Sequence, residues 1–276
     1  MARQLDAELP GRAIKTVSLI TPSMLKYPEA AIFRRAIKGA RILGVSRRAK
    51  YALFSLSGGR TLLIHPKMTG HFLLISSPSS RGRIKVGDEL SSWKYARFVF
   101  ELDNGSELAF SDVRKFGTVR LLDKNELESF WEKEGLGPEP LEPSFKVTEF
   151  ISLISSQNGK IKQVLMDPKI IAGIGNIYSD EMLYITGIHP ERRAKSLSEK
   201  ELAGLYKNMG QVLQNGIALG GSSINNYRLL DGRKGQYQEI RVVYGREGEP
   251  CGKCFDKIRR IKVGGRSAHF CPGCQR

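Results

Sequence analysis

All four cysteines of the 276-residue chain fall near its end, as Cys251-x2-Cys254-x16-Cys271-x2-Cys274. Each Cys-x-x-Cys knuckle aims two thiolates at one point, and two knuckles complete the tetrahedral shell of a zinc ion. Four sulfur ligands leave no open position on the metal, so one structural Zn2+ is expected and not a catalytic one. Two disulfides are the competing arrangement, but Met1–Arg12 has no apolar signal-peptide core that would send the chain to an oxidising compartment. Residues 241–276 carry nine Lys/Arg against three Asp/Glu, which suits a finger held against a polyanion.

A second stretch with chemical potential runs from Lys162 to Tyr178. Lys162–Lys169 reads as a helix, Ile170–Gly175 as a glycine-bearing turn, and Asn176 as the entry to another helix. Gly173 and Gly175 carry no side chain and let the backbone approach another surface closely. Amides at the start of the second helix would then face an anion such as a DNA phosphate. An ordinary helical turn with an asparagine N-cap fits the same residues.

The elements that must position these residues follow from pattern and composition. Lys and Arg total 44 against 28 Asp and Glu, a net charge of +16 that favours a polyanionic partner. No apolar run approaches the ~20 residues needed to span a bilayer, so no membrane association and a cytoplasmic compartment are expected. Residues 2–9 look like an amphipathic helix with Leu5 and Leu9 one turn apart. Tyr51–Leu56, Thr61–Ile64, His71–Ile75 and Ala96–Leu102 are short apolar or alternating runs, separated in places by hairpin chemistry at Ser57-Gly58-Gly59 and Asp103-Asn104-Gly105. They point to an antiparallel β-sandwich over residues 1–122. Residues 123–144, charged and then proline-rich, read as a linker. Helical periodicity takes over in residues 145–240. Its clearest helix starts at a Ser198/Glu201 capping box, buries Leu202, Leu205, Met209, Val212 and Leu213, and stops at Gly220-Gly221. Residues 241–276 form the finger. The fold class is therefore a multidomain α+β chain.

Several of these stretches together resemble the formamidopyrimidine-DNA glycosylase/endonuclease VIII family. Its helix–two-turn–helix signature runs close to KxxLxDxxxxxGxGNIYxxExL, and Lys162, Leu165, Asp167, Gly173, Gly175, Asn176, Ile177, Tyr178, Glu181 and Leu183 match it. Arg47–Tyr51, His65–Gly70, Asp112–Gly117, Leu136–Leu141, Gly220–Ile224 and the finger match further motifs in family order. The resemblance implies a base-excision repair glycosylase with AP-lyase activity that acts, as an expected monomer in the bacterial cytoplasm, on damaged double-stranded DNA. Lys50 and Arg266 match basic residues at the phosphates of the flipped nucleotide that assist elimination. Met68, Arg114 and Phe116 match the three residues that fill the duplex when the damaged nucleotide leaves it. An apolar wedge and an aromatic face replace lost stacking, and a guanidinium can bond the orphaned base. Tyr95, where many relatives carry a histidine, Lys162 and Asn176 are the remaining expected DNA contacts. Ser223–Tyr227 through Gly235–Gln238 match a loop that covers an oxidised purine, with Asn225-Asn226 in place of the usual Arg-Asp. Met68 with Arg114 and Phe116 favours oxidised purines (8-oxoguanine, formamidopyrimidines) over the oxidised pyrimidines of the endonuclease VIII branch. A zinc-finger transcription factor would leave the two-domain pattern and the wedge residues without a role.

The start of the chain departs from the family pattern. The family nucleophile is an N-terminal proline amine followed by glutamate, and Met1–Leu9 instead aligns with the back of that first helix. Either coding begins upstream, or the chain is a paralogue that binds damage without cutting it. The α-amine of Ala2 is a third candidate nucleophile, but about nine helical residues would displace it by ~13 Å. The 276-residue polypeptide is thus expected to fold and bind DNA without excising bases. Borohydride should trap no adduct with damaged duplex, and an adduct mapped by mass spectrometry to Ala2 would reverse that expectation.

Overall fold

The computed structural model describes residues 1–75, 94–223 and 227–276. They divide into two compact units, residues 1–133 with 220–236 and residues 134–219 with 237–276. Among the described residues no helix is long and apolar enough to cross a membrane.

The first unit opens with α1 (Ala2–Glu8), whose Leu5 and the following Leu9 are fully buried, as their one-turn spacing requires. After it come β1 (Ile14–Leu19), β2 (Leu25–Tyr27), α2 (Ala30–Ile37), β3 (Ile42–Arg48), β4 (Tyr51–Leu56), β5 (Arg60–His65), β6 (His71–Ile75), β7 (Ala96–Leu102), β8 (Glu107–Ser111) and β9 (Thr118–Leu122). They form two sheets, ordered β1-β7-β8-β6 and β2-β9-β5-β4-β3. Every pair is antiparallel except β2 with β9, which run parallel. The two sheets meet through phenylalanines. Phe54 of β4 lies 5.5 Å from Phe72 of β6, which lies 5.3 Å from Phe110 of β8. Burying each such ring contributes about 1.5–3 kcal/mol, so this contact carries much of the sandwich. Gly58 and Gly59, both at positive φ, close the β4–β5 hairpin, and Asn104 caps the β7–β8 turn by accepting the Ser106 N–H at 3.1 Å.

Residues 123–144 span the boundary between the two units and are folded against them. Their first half is α3 (Lys124–Glu134), whose Phe130 and Trp131 pack edge-on to Tyr51 of β4 at 5.6 and 5.3 Å. Their second half docks in the other unit. The Gly137 N–H donates to the Pro168 carbonyl at 2.9 Å, and the Ala172 N–H to that of Pro138 at 3.0 Å. A charged surface and three prolines suggest a linker. The aromatic pair and the backbone bonds of the proline segment show that it is packed along its length. Residues 220–236, expected with the helices, also belong elsewhere. Leu230 joins the sandwich core, and the Leu74 N–H donates to its carbonyl at 2.9 Å.

The second unit contains α4 (Val147–Ser155), α5 (Ile161–Met166), α6 (Asn176–Thr186), α7 (Glu199–Ala218), the short α8 (Tyr237–Ile240) and a hairpin of β10 (Arg259–Val263) and β11 (Arg266–Phe270). The finger clusters with the helices in this unit. On α7, Leu202, Leu205, Met209 and Val212 are buried as their spacing requires, Leu213 is partly buried, and Gly220 follows at φ +69°. Ser198 and Glu201 make the full capping box. Glu201 also forms a two-pronged ion pair with Arg192. Hydrogen bonds from Arg192, against a partly offsetting burial cost, hold the Glu201 carboxyl at about 2, below its ordinary 4.5. A depressed carboxyl stabilises the fold above its unfolded value and loses that contribution as pH falls through about 2. E201Q keeps the cap to Ser198 but not the charge. Its thermal midpoint should fall less steeply than that of the wild type between pH 4.5 and pH 2.

Candidate nucleic-acid interface

Three segments of the first unit gather at one end of its five-stranded sheet. The β3–β4 turn holds Ala49 and Lys50, the β5–β6 loop holds Pro66–Gly70, and the segment before β9 holds Asp112–Gly117. Pairing of Arg48 with Tyr51 and of His65 with Thr118 puts all three at the same edge. Lys50 is exposed beside Ala49, whose φ is +49°.

Met68, Arg114 and Phe116 come together there. The Arg114 guanidinium lies 4.5 Å from the Phe116 ring centroid, and its Nη1 donates to Met68 Sδ at 3.2 Å. Met68 and Phe116 are 63% and 52% exposed, which is unusual for side chains of this kind and marks them as presented and not packed. The backbone that presents them is strained, since Lys67 and Lys115 sit at φ +52° and +59° at a cost of about 1–2 kcal/mol each. Two glycines allow the close approach. A Cβ on Gly70 would meet the Pro66 carbonyl at 2.5 Å, and one on Gly117 would meet the Phe110 ring at 2.6 Å.

A fully buried Asp112 joins the two loops. Its Oδ1 accepts the Thr69 hydroxyl and the Arg114 N–H at 3.1 Å, and its Oδ2 accepts the Gly117 N–H at 2.8 Å. Its own N–H donates to the Tyr95 carbonyl at 2.9 Å, and its carbonyl accepts Arg97 Nε at 2.7 Å, so Tyr95 is tied to the same point. His65, which lies inside a matched motif but was not singled out by the sequence, belongs here too. Burial, then the charges of Lys67 and Lys50, push its imidazole down to about 3, so it is neutral at ordinary pH. Its Nδ1 accepts the Lys67 N–H at 2.8 Å, which places the ring proton on Nε2.

In the second unit the turn before α6 has Gly173 at φ +87° and Gly175 as the N-cap, with Asn176 one residue inside the helix and not the cap itself. Asn176 Oδ1 is buried without a hydrogen-bond partner among the described residues. Lys162 overturns its expectation as a DNA contact. It is fully buried, its Nζ is paired with Asp180 Oδ1, and burial lowers its pKa even though Asp180 opposes the shift. A lysine in that position is a structural counter-ion.

Asp180 and its neighbour Glu181 hold the finger. Asp180 Oδ2 accepts the His269 N–H of β11 at 2.8 Å and contacts that ring's Nδ1 at 3.2 Å. Glu181 accepts three consecutive backbone N–H groups, from Val242, Val243 and Tyr244, at 2.8, 3.0 and 2.8 Å. Glu181 lies in the matched signature, but nothing in local spacing marks it or Asp180 as an anchor of the finger. The four cysteine sulfurs lie within 4.8 Å of one another, with Cys251–Cys274 at 3.8 Å and Cys254–Cys271 at 3.3 Å. A tetrahedron with Zn–S bonds of about 2.3 Å has sulfurs about 3.8 Å apart, so the set fits one structural Zn2+. Between the knuckles, Gly264 and Gly265 turn the hairpin at positive φ. Val263 pairs with Arg266 at its tip, where Arg266 is exposed and Gly264 packs against Gln163 of α5. Asn225 and Asn226 lie outside the described residues. Of their loop, Ser223 Oγ accepts the Gly235 N–H at 2.8 Å.

Comparison with known proteins covers nearly the whole chain. Residues 1–119 match the formamidopyrimidine-DNA glycosylase N-terminal domain, residues 136–228 its H2TH domain, and residues 248–276 the zinc finger found in FPG and IleRS. A formamidopyrimidine-DNA glycosylase of Pelotomaculum thermopropionicum is 39% identical over 275 residues, 99% of this chain and 95% of the relative. One from Streptococcus pyogenes is 39% identical over 274 residues, again 99% and 95%. Among solved structures, Lactococcus lactis Fpg in complex with DNA containing an abasic site superposes with a TM-score of 0.88 at 32% identity, covering 100% of this chain and 96% of the other. MutM in complex with DNA containing carbocyclic 8-oxo-G superposes at 0.87 with 32% identity, covering 100% and 96%. With its sandwich, its helical unit and its four-cysteine finger all matched, the chain belongs to the formamidopyrimidine-DNA glycosylase family.

Proposed function

We propose that this protein is a base-excision repair glycosylase with AP-lyase activity that removes oxidised purines, 8-oxoguanine and formamidopyrimidines, from double-stranded DNA. The observation that carries this reading is the contact of Met68, Arg114 and Phe116, an exposed thioether, guanidinium and aromatic face joined into one wedge. Such a set replaces the stacking and pairing lost when a nucleotide leaves the duplex. In the family's chemistry an amine nucleophile, which residues 1–276 do not match in the Pro-Glu form, forms a bond to the sugar C1′ as the base departs, and the resulting Schiff base permits β- and then δ-elimination. Lys50 and Arg266 are exposed cations suited to DNA phosphates, and Tyr95 and Asn176 are further backbone contacts. Lys162 supports Asp180 instead. The net charge of +16 supplies non-specific affinity for DNA in the bacterial cytoplasm, where the protein acts as a monomer. The pyrimidine alternative finds no support among the named relatives, and their complexes carry abasic or oxidised-purine lesions.

The protein expressed from its own chromosomal locus, once purified, should cut duplex with 8-oxoguanine opposite cytosine at least about tenfold faster than duplex with dihydrouracil. It should leave phosphate on both sides of the gap. A reversed order would favour the endonuclease VIII reading, and tight lesion binding without cleavage would favour a damage-binding paralogue. M68A should weaken binding to lesion duplex by about 5–100-fold, the worth of one stacked contact, with little change on undamaged DNA. Stripping the metal with a chelator should abolish DNA binding by releasing the hairpin that carries Arg266, and Zn2+ but not Mg2+ should restore it.

A further inference from the structure

We infer that Asp112 is a positioning residue that makes the Met68 loop and the Arg114–Phe116 loop a single pre-formed element, and so sets discrimination of the base opposite the lesion. The inference rests on the function proposed above. Met68 and Phe116 are more than half exposed, so few packing contacts of their own hold them in place. Their geometry has to come from the backbone beneath them, and on both loops that backbone includes a left-handed residue, Lys67 or Lys115. Asp112 is a buried side chain that bonds to both loops. Its two oxygens collect the hydroxyl of Thr69 from one, and the N–H groups of Arg114 and Gly117 from the other. The Arg114 N–H also reaches Thr69 Oγ1 at 3.2 Å, which closes the network. Gly70 and Gly117 both lean on the Phe110 ring beneath it, so neither loop can settle closer to make up for a lost bond.

An asparagine at position 112 keeps the shape but offers one acceptor oxygen where the carboxylate offers two. Its amide nitrogen would then face a donor, either the Gly117 N–H or the pair from Thr69 and Arg114, and one loop would be released. A guanidinium that must hydrogen-bond an orphaned base tolerates little displacement, whereas phosphate contacts tolerate much more. Loosening the wedge should therefore cost lesion and opposite-base selectivity before it costs general affinity for DNA.

The test uses the full chain in fluorescence anisotropy with three duplexes: a stable tetrahydrofuran abasic analogue opposite cytosine, the same analogue opposite adenine, and undamaged DNA. The wild type should prefer the analogue over undamaged duplex and cytosine over adenine. D112N should lose about tenfold on the analogue opposite cytosine, with the cytosine preference falling toward unity and undamaged affinity within about twofold. T69V should behave like D112N, while T69S, which keeps the hydroxyl, should match the wild type. Thermal midpoints would be recorded for each, and if D112N fails to fold the T69V/T69S pair decides. Wild-type discrimination in D112N and T69V, or an equal loss on all three duplexes, would overturn the role of Asp112 and leave the proposed function standing. A wild type without preference for the analogue would bring down both.

Discussion

The helical unit depends on two adjacent carboxylates buried in one helix. Asp180 and Glu181 are each about 1% exposed, and an acid in that position is tolerable only if every oxygen finds a donor. Asp180 takes Lys162 from α5 and the backbone and ring of His269 from the finger, while Glu181 takes three successive N–H groups of the lead-in segment. Removing one partner of such a buried pair typically costs about 3–5 kcal/mol, because the charge left behind has no water to turn to. The demand for donors thus fixes α5, the lead-in segment and the hairpin to the same short helix. Zinc then closes the finger from its other side, with Tyr184 of α6 contacting the Cys251 sulfur at 3.1 Å.

The sandwich unit applies the same device at Asp112. A buried carboxylate gathers backbone and hydroxyl donors from segments far apart in sequence, and the groups it holds in place face outward. In both units the linking acids, Asp112 in one and Asp180 and Glu181 in the other, are buried, while Lys50, Arg114 and Arg266 are exposed. A net charge of +16 is then an outward-facing property, available to a polyanion. The strain at Lys67 and Lys115 fits this picture, since left-handed non-glycine residues persist only where their surroundings over-determine them.

His65 and Lys162 show how far environment can move a residue from its usual role. His65 sits near two lysines in a partly dry setting and is held neutral, so it serves as an acceptor for the Lys67 N–H of the β5–β6 loop. Lys162 occupies a position that its charge and its motif both associate with DNA, yet it faces Asp180 in the interior.

What the sequence alone determined is whatever is encoded in local spacing. The two Cys-x-x-Cys knuckles specify a tetrahedral site because each spans only four residues. The Ser198/Glu201 box and the 3.6-residue periodicity after it specify α7, and alternation with glycine-rich turns specifies β4 to β7 but not β1, β2, β3, β8 or β9. The family motifs also pointed to Met68, Arg114 and Phe116, which the fold brings into contact. Tertiary structure alone decided the rest, because it depends on partners remote in the chain. Lys162 is inside because Asp180, eighteen residues on, is inside with it. The supposed linker is ordered because Phe130 and Trp131 find Tyr51, and residues 220–236 leave the helices because Leu230 completes the sandwich core. The finger that the cysteines announced is held to its unit by two acids whose burial no spacing rule records, since burial is a property of the packed chain and not of its neighbours in sequence.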